Sequence, residues 1–236
     1  MAYGHGKNVR VYCNGYNLTG YLNTIETPIS ADTAETSVFG LSSKTYLAGL
    51  TDATLSAAGF FDGAASAVDE VMNTAIAAEY SEWVWYPQGD AVAAYGYGMA
   101  AINNAYSVSA TLDNAVQITV GAQSTVGRER GLSLHALGAE AGSDWTGTTN
   151  NFGAASANGG SAYLEVTAVT GDIEISLRHS SDNFAADDTE LVAFTNVTAL
   201  GSQRVTFTGA VKQYVRGIAT IGGAETITFN ILFCRK

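Results

Sequence analysis

Charge is scarce in this chain of 236 residues: 14% are Asp, Glu, Lys or Arg, against 47% hydrophobic. Solubility then rests on Thr, Ser, Asn and Gly, or on burial of surface in an assembly, and so low a charge density favours the second. Cysteine is nearly absent. Cys13 and Cys234 lie near opposite ends, zinc-ligand spacing is missing, and the spacing neither requires nor rules out a bridge between them. Each falls at an apolar position of a predicted strand, so both are expected as buried free thiols. Only His5, His135 and His179 are available for acid–base or metal chemistry, and none is near another. No G-x-S-x-G elbow is present, and serines are too common for co-occurrence with a histidine to carry information. No catalytic constellation emerges, and neither an enzyme nor a cofactor is expected. No apolar run approaches about 18 residues, so no transmembrane helix or membrane anchor is expected. The opening MAYGHGKNVR lacks the apolar stretch of a secretory signal, which leaves the sequons at Asn17 and Asn196 without a glycosylation context.

What charge there is has one dominant sign. The net charge is −11. Residues 1–145 hold 14 acids against 5 bases, and residues 146–236 hold 8 against 6. The first segment therefore carries −9, which disfavours sequence-specific nucleic-acid binding and suits a channel past which DNA slides without sticking.

Alternation predicts strands through most of the chain. Val9, Val11 and Cys13 share one face of a strand over 7–13, and Asn14-Gly15 turns it into a partner over 16–25. Residues 30–49 lose the alternation and scatter Val38, Phe39 and Leu41 among polar residues. So long a segment without a regular core face reads as an extended arm or long hairpin that contacts other subunits and stays disordered until it does so. A strand over 51–60 leads to a helix over 64–78, where Val68, Val71, Met72, Ala75 and Ile76 form one apolar stripe and Ser66 with Asp69 resembles a capping box. Strands follow over 83–86, 91–102, 105–112 (after a turn at Asn103-Asn104), 115–123 and 130–137. The Gly/Ser/Thr/Asn-rich stretch from Ser143 to Ser161 precedes six alternating strands over 162–169, 173–178, 190–195, 203–208, 211–220 and 226–234, the pattern of a β-sandwich. The fold class is mainly β. The expected division is an assembly domain over 1–145, a β-sandwich or half-barrel with one helix; a flexible linker over 146–160; and a C-terminal β-sandwich over 161–236.

The remaining clusters are weak. Gly96-Tyr97-Gly98 sits in no βαβ unit, so its glycines serve bending or close packing rather than a phosphate. The acidic loop 180–190 offers Asp182, Asp187 and Asp188 as a weak calcium candidate without EF-hand order, a solvated turn being the plainer reading. Arg204, Lys212 and Arg216 with Tyr214 form a small basic group that suits an anionic glycan or a solvated strand face. His179, at a strand end, is expected in a surface hydrogen bond.

Three stretches resemble the N-terminal part of bacteriophage major tail tube proteins: Thr19-Gly20-Tyr21-Leu22-Asn23, Asp32-Thr33-Ala34-Glu35-Thr36 and Lys44-Thr45-Tyr46-Leu47-Ala48-Gly49-Leu50. The resemblance continues through Ala58-Gly59-Phe60-Phe61-Asp62 and the helix, and spans most of residues 7–137. It implies a structural virion protein of the phage tail, made in the host cytoplasm. Its subunits form rings, usually of six, stacked into a tube through which genomic DNA passes unbound, with other tail proteins at the tube ends. Ring contacts would come from residues 1–8 and from the 30–49 segment, through Asp32, Glu35, Val38, Phe39, Leu41, Lys44 and Tyr46. Asp90 and Asp113 are lumen candidates, and the C-terminal sandwich would decorate the exterior, with a host-surface glycan as a possible partner. The alternatives are a capsid decoration or cement protein and a carbohydrate-binding virion module.

Overall fold

The computed structural model describes residues 5–40, 42–76 and 78–236. A 3-10 turn at Gly6–Asn8 precedes β1 (Arg10–Cys13), β2 (Tyr16–Asn17), β3 (Leu22–Glu26), β4 (Ile29–Glu35) and β5 (Tyr46–Phe60). Helix α1 (Val68–Ile76) is followed by β6 (Ser81–Tyr86), β7 (Tyr95–Ser109), β8 (Gln117–Ser124) and β9 (Glu129–Ala141). Two short strands, β10 (Trp145–Thr146) and β11 (Asn150–Asn151), lead into β12 (Gly160–Thr170), β13 (Glu174–Ser180) and β14 (Thr189–Ala193). The chain closes with β15 (Gly201–Phe207), β16 (Tyr214–Thr220) and β17 (Thr226–Arg235). The protein is mainly β, with antiparallel sheets and one α-helix among the described residues, as the alternation predicts.

The chain forms two compact units, divided differently from the expectation. The first gathers Met1–Gly20, Ser81–Gly98 and Glu129–Lys236, and the second Tyr21–Tyr80 and Met99–Arg128. Strand pairing is the reason. β17 lies between β9 and β12, with Phe233 opposite Leu132 and Ala162, so the last strand is built into a sheet with residues assigned by sequence to the N-terminal domain. The stretch 146–160 is not a free linker either. β10 and β11 both pair with β16, Trp145 packs edge-on against His135 and Phe229, and Phe152 packs against Phe233.

In the first unit one sheet runs β15-β12-β17-β9-β7-β6-β1-β2, and a second runs β10-β16-β13-β14 with β11 also on β16. Their facing surfaces form a sandwich core that includes Leu164, Ile175, Leu177, Val215, Phe229 and Ile231. All six strands expected in the C-terminal segment are present, three in each sheet. The long sheet curls, and on its other face Tyr12, Val84, Tyr86, Tyr163, Leu232 and Cys234 make a second cluster. The curl brings the β1–β2 turn against β12 and β15. A Cβ on Gly15 would stand 2.5 Å from the Gly201 nitrogen, and its φ of 82° suits a residue without one. Gly96 and Gly98 are likewise close-packing glycines, against the rings of Tyr86 and Tyr163. Cys13 and Cys234 are buried free thiols, as expected, and burial pushes both thiol pKa values up.

In the second unit β5 is the central strand, paired on one side with β3 and β4 and on the other with β8, which pairs with β7. Helix α1 buries Val68, Val71, Met72 and Ala75 while Ile76 is exposed, so the stripe is as predicted but the helix is shorter. The cap differs: Glu70, not Asp69, reaches back to accept the Ser66 N–H at 2.6 Å, while Asp69 accepts from the Tyr106 hydroxyl at 2.7 Å. Asn103-Asn104 is not a turn. β7 runs straight through it with a register shift between Asn103 and Ala105, because a bulge absorbs one extra residue without reversing the strand.

The seam of the curled sheet holds a buried carboxyl group. Glu165 Oε2 accepts the Gly15 N–H at 2.7 Å, and Oε1 has no hydrogen-bond partner. Desolvation raises its pKa well above the carboxylate range, the Gly15 bond lowers it, and neighbouring Glu82 raises it further. A raised folded-state pKa means that the group contributes fully below its unfolded pKa and progressively less as pH rises towards the folded one. Glu165→Gln keeps the acceptor and removes the titration. It should flatten the decline of thermal stability as pH rises above the ordinary carboxylate range, a slope of up to about 1.4 kcal/mol per pH unit. Thermal melts across that range check this, and a variant with the parent's slope would contradict it.

Candidate assembly surface

The segment expected as an extended arm or long hairpin is a β-hairpin in the second unit. β4 and β5 pair from Ile29 opposite Ala53 to Glu35 opposite Tyr46. The register shifts between Ala31 and Thr33, where Gly49 and Leu50 together oppose Asp32. Gly49 makes room for this bulge, since a Cβ there would stand 3.0 Å from that of Asp32. The tip is closed by Thr36 N–H to Thr45 O at 2.8 Å, by Thr45 N–H to Ser37 Oγ at 3.0 Å, and by Gly40 at φ 94°. At the base, Gln123 donates to Asp52 at 2.6 Å and Arg128 donates to the Thr27 carbonyl at 2.7 Å.

Burial divides β5 in two. Every residue of β4 and of β5 as far as Asp52 is exposed, whereas Ala53, Leu55 and Ala57 beyond it are buried on one face. The alternation weakens over 30–49 because neither face of the hairpin is covered. Phe39 is 109% exposed and Leu50 84%, with Ile29, Val38, Tyr46 and Leu47 also open. Burying one such side chain yields about 1.5–3 kcal/mol. A two-stranded ribbon is marginal in water by itself, so this surface has both the need and the means to gain from a partner. Fifteen of the eighteen large apolar side chains left exposed among the described residues lie in this unit. One of them, Leu112, is 101% exposed in the β7–β8 turn.

Of the expected contact residues, Asp32, Glu35, Val38, Phe39, Lys44 and Tyr46 lie together and exposed on this hairpin, and Leu41 lies outside the described residues. Lys44 and Glu35 pair at 3.0 Å, but both are open to water, so the pair adds about 1 kcal/mol or less. Ile29, Leu47 and Leu50 were missed by the sequence reading. For Leu47 and Leu50 the signal was the unbroken apolar run Tyr46-Leu47-Ala48-Gly49-Leu50, which gives no alternation to read.

The other candidates separate. Asp113 is exposed in the β7–β8 turn. Asp90 is committed inside the first unit, where its Oδ2 accepts the Tyr12 hydroxyl at 2.7 Å and the Leu137 N–H at 2.9 Å. The acidic loop faces donors already in place. Asp182 accepts the Ser180 hydroxyl and the N–H groups of Ala185, Ala186 and Asp187, the Ser180 bond leading in holding its pKa down. Asp187 pairs with Lys212, which leads in lowering its pKa, and Asp188 pairs with Arg216 at 2.8 Å and with Arg178 at 3.8 Å. Among the described residues no group of three or more His, Cys, Asp or Glu is arranged to hold a metal ion. Arg204 does not cluster with Lys212 and Arg216; it lies on β15, paired with Glu129 at 3.0 Å. His179 is buried rather than superficial, accepting the Lys212 N–H at 3.3 Å, and desolvation first and Lys212 second lower its pKa.

No protein-family model matches the sequence, and no curated protein matches it. Solved structures of similar fold include a subunit of the native gene transfer agent virion, with 14% identity, 53% of this chain and 97% of that one covered, and a TM-score of 0.44. The SPP1 tail tube is 9% identical over 54% of this chain and 78% of that one, with a TM-score of 0.45. The SPP1 Dit protein, a hub of the adsorption apparatus, is 10% identical over 94% of this chain and 98% of that one, with a TM-score of 0.37. The neighbours are structural proteins of phage tails and related particles; at these identities and scores, function rests on the chemistry of the chain itself.

Phe39 and Leu50 are exposed and belong to no buried cluster of their own unit. Replacing Phe39 and Leu50 together by Ser should change the stability of the monomer by less than about 0.5 kcal/mol. The same variant should lose concentration-dependent association in sedimentation velocity. A clear drop in melting temperature would mean that these side chains pack within the subunit.

Proposed function

We propose that this chain is a structural subunit of a phage-type tail, a tube protein that polymerises into stacked rings through the β4–β5 hairpin. The observation that carries the reading is a well-formed hairpin with apolar side chains and no cover on either face. A contact between such an arm and a different surface of the next copy is heterologous, and heterologous contacts build rings or open filaments rather than closed dimers. The residue-level resemblance to tail tube proteins covers this same hairpin and supports a ring, usually hexameric, as the repeating element.

Charge supports the role of a conduit. The second unit, Tyr21–Tyr80 with Met99–Arg128, holds nine acids against two bases, a net −7. A wall of that sign repels phosphates, whereas a basic wall would bind DNA and stall its transit. Asp113, exposed on this unit, is the better lumen candidate, since Asp90 already serves Tyr12 and Leu137.

Negative-stain electron microscopy across a concentration series tests the proposal. Stacked rings or tubes should form, and should persist at about 0.5 M salt, because apolar contacts are not screened as ion pairs are. Discrete single rings would favour a hub at the end of a tube. Monodisperse single subunits at high concentration would contradict self-assembly through the hairpin.

A further inference from the structure

We propose that the first unit carries a binding site for an acidic sugar, a pyranose bearing a carboxylate or phosphate, held between Arg130 and Arg235. The two guanidinium groups border a cleft of about 490 Å³. That lies within the range of small-molecule sites and leaves room for a monosaccharide. Tyr95, Leu132, Phe152 and Phe233 are its apolar and aromatic lining residues, Phe233 lying fully buried behind the others.

The arginines are arranged as anion receptors. Arg130 lies over the Tyr95 ring at 3.9 Å and Arg235 over the Phe152 ring at 4.8 Å. Contact with a ring face orients a guanidinium without neutralising it. Arg235 is further fixed by donating to the backbone carbonyls of Phe152, at 3.2 Å, and Ala154. No acidic residue lines the cleft. Lys44, Arg178, Arg204, Lys212, Arg216 and Lys236 all have a carboxylate within 4 Å. Arg130 and Arg235, like Lys7 and Arg10, have none among the described residues, and these two arginines line the same cleft.

The uncharged lining narrows the ligand. Asn151 uses its Oδ1 to accept from Gly153 N–H and Gln213 Nε2, which leaves its amino group for a ligand. The side chains thus offer mainly donors beside an apolar and aromatic lining. That matches a molecule with oxygens on its edges, C–H groups on its faces and an oxyanion for the guanidinium fork. A nucleic acid fits less well, because the chain's charge of −11 opposes a polyanion at longer range.

Calorimetric titration of the full chain with galacturonate, glucose 6-phosphate, glucose and inorganic phosphate tests the site, each at up to about 20 mM. At least one acidic sugar should bind saturably, with glucose and inorganic phosphate each weaker by about tenfold or more. Arg130→Ala, which removes an exposed side chain, should weaken that binding by about tenfold with an unchanged melting temperature, and Arg130→Lys should restore part of it. The proposal is overturned if no acidic sugar binds, if glucose or inorganic phosphate binds equally well, or if Arg130→Ala binds like the parent. It is equally overturned if acidic sugars fail to bind while Arg130→Ala dissociates oligomers, since the cleft would then receive another subunit.

Discussion

The first unit depends on burial of both faces of its last strand. β17 turns Phe229, Ile231 and Phe233 into the sandwich core and Leu232 and Cys234 into the cluster beneath the curled sheet. Asn230, between them, is fully buried and satisfied, accepting the Tyr86 hydroxyl at 2.6 Å and donating to the His135 carbonyl at 2.6 Å. Two apolar layers therefore share one strand, and neither can form without it. Removing or mispairing β17 would expose large aromatic surface on both sides, each fully buried Phe or Leu being worth about 1.5–3 kcal/mol. The same constraint explains why residues 161–236 do not stand apart as a domain.

The second unit is organised the opposite way. Its central strand, β5, buries one face over its second half and neither over its first, so the chain makes an ordered element that its own fold leaves uncovered. Low charge lets such a surface seek an apolar partner without first stripping water from ion pairs, which is costly. The first unit is thus closed by its own packing, whereas the second leaves an ordered hairpin uncovered. The cleft between Arg130 and Arg235 is lined by residues of the first unit alone.

Much of this was legible in the sequence wherever one face of a strand is buried. β8, β13 and β16 follow their alternation in burial, and Asn14-Gly15 forms the predicted tight turn, with φ values of 51° and 82°. Alternation names the buried face but not the neighbouring strand. The β9–β17 pairing, which redraws the units, therefore left no local trace. The hairpin lost its signal because neither of its faces is buried, which leaves no alternation to read. Asn103-Asn104 imitated a turn because a bulge and a turn favour the same residues. Of the candidate site, the exposed apolar residues were legible as misfits in a polar stretch. The Arg130–Arg235 cleft was not, because its two arginines lie more than a hundred residues apart in the sequence.

The central claim is that the β4–β5 hairpin is uncovered in the free subunit and covered in the assembly. Hydrogen exchange of amides 29–53, measured in dilute monomer and again in the polymerised state, tests it most directly. The account predicts rapid exchange in the monomer, as for a marginal two-stranded ribbon, and strong protection after assembly, while amides of β17 stay protected throughout. Equal protection of 29–53 in both states, or continued rapid exchange in the polymer, would contradict it.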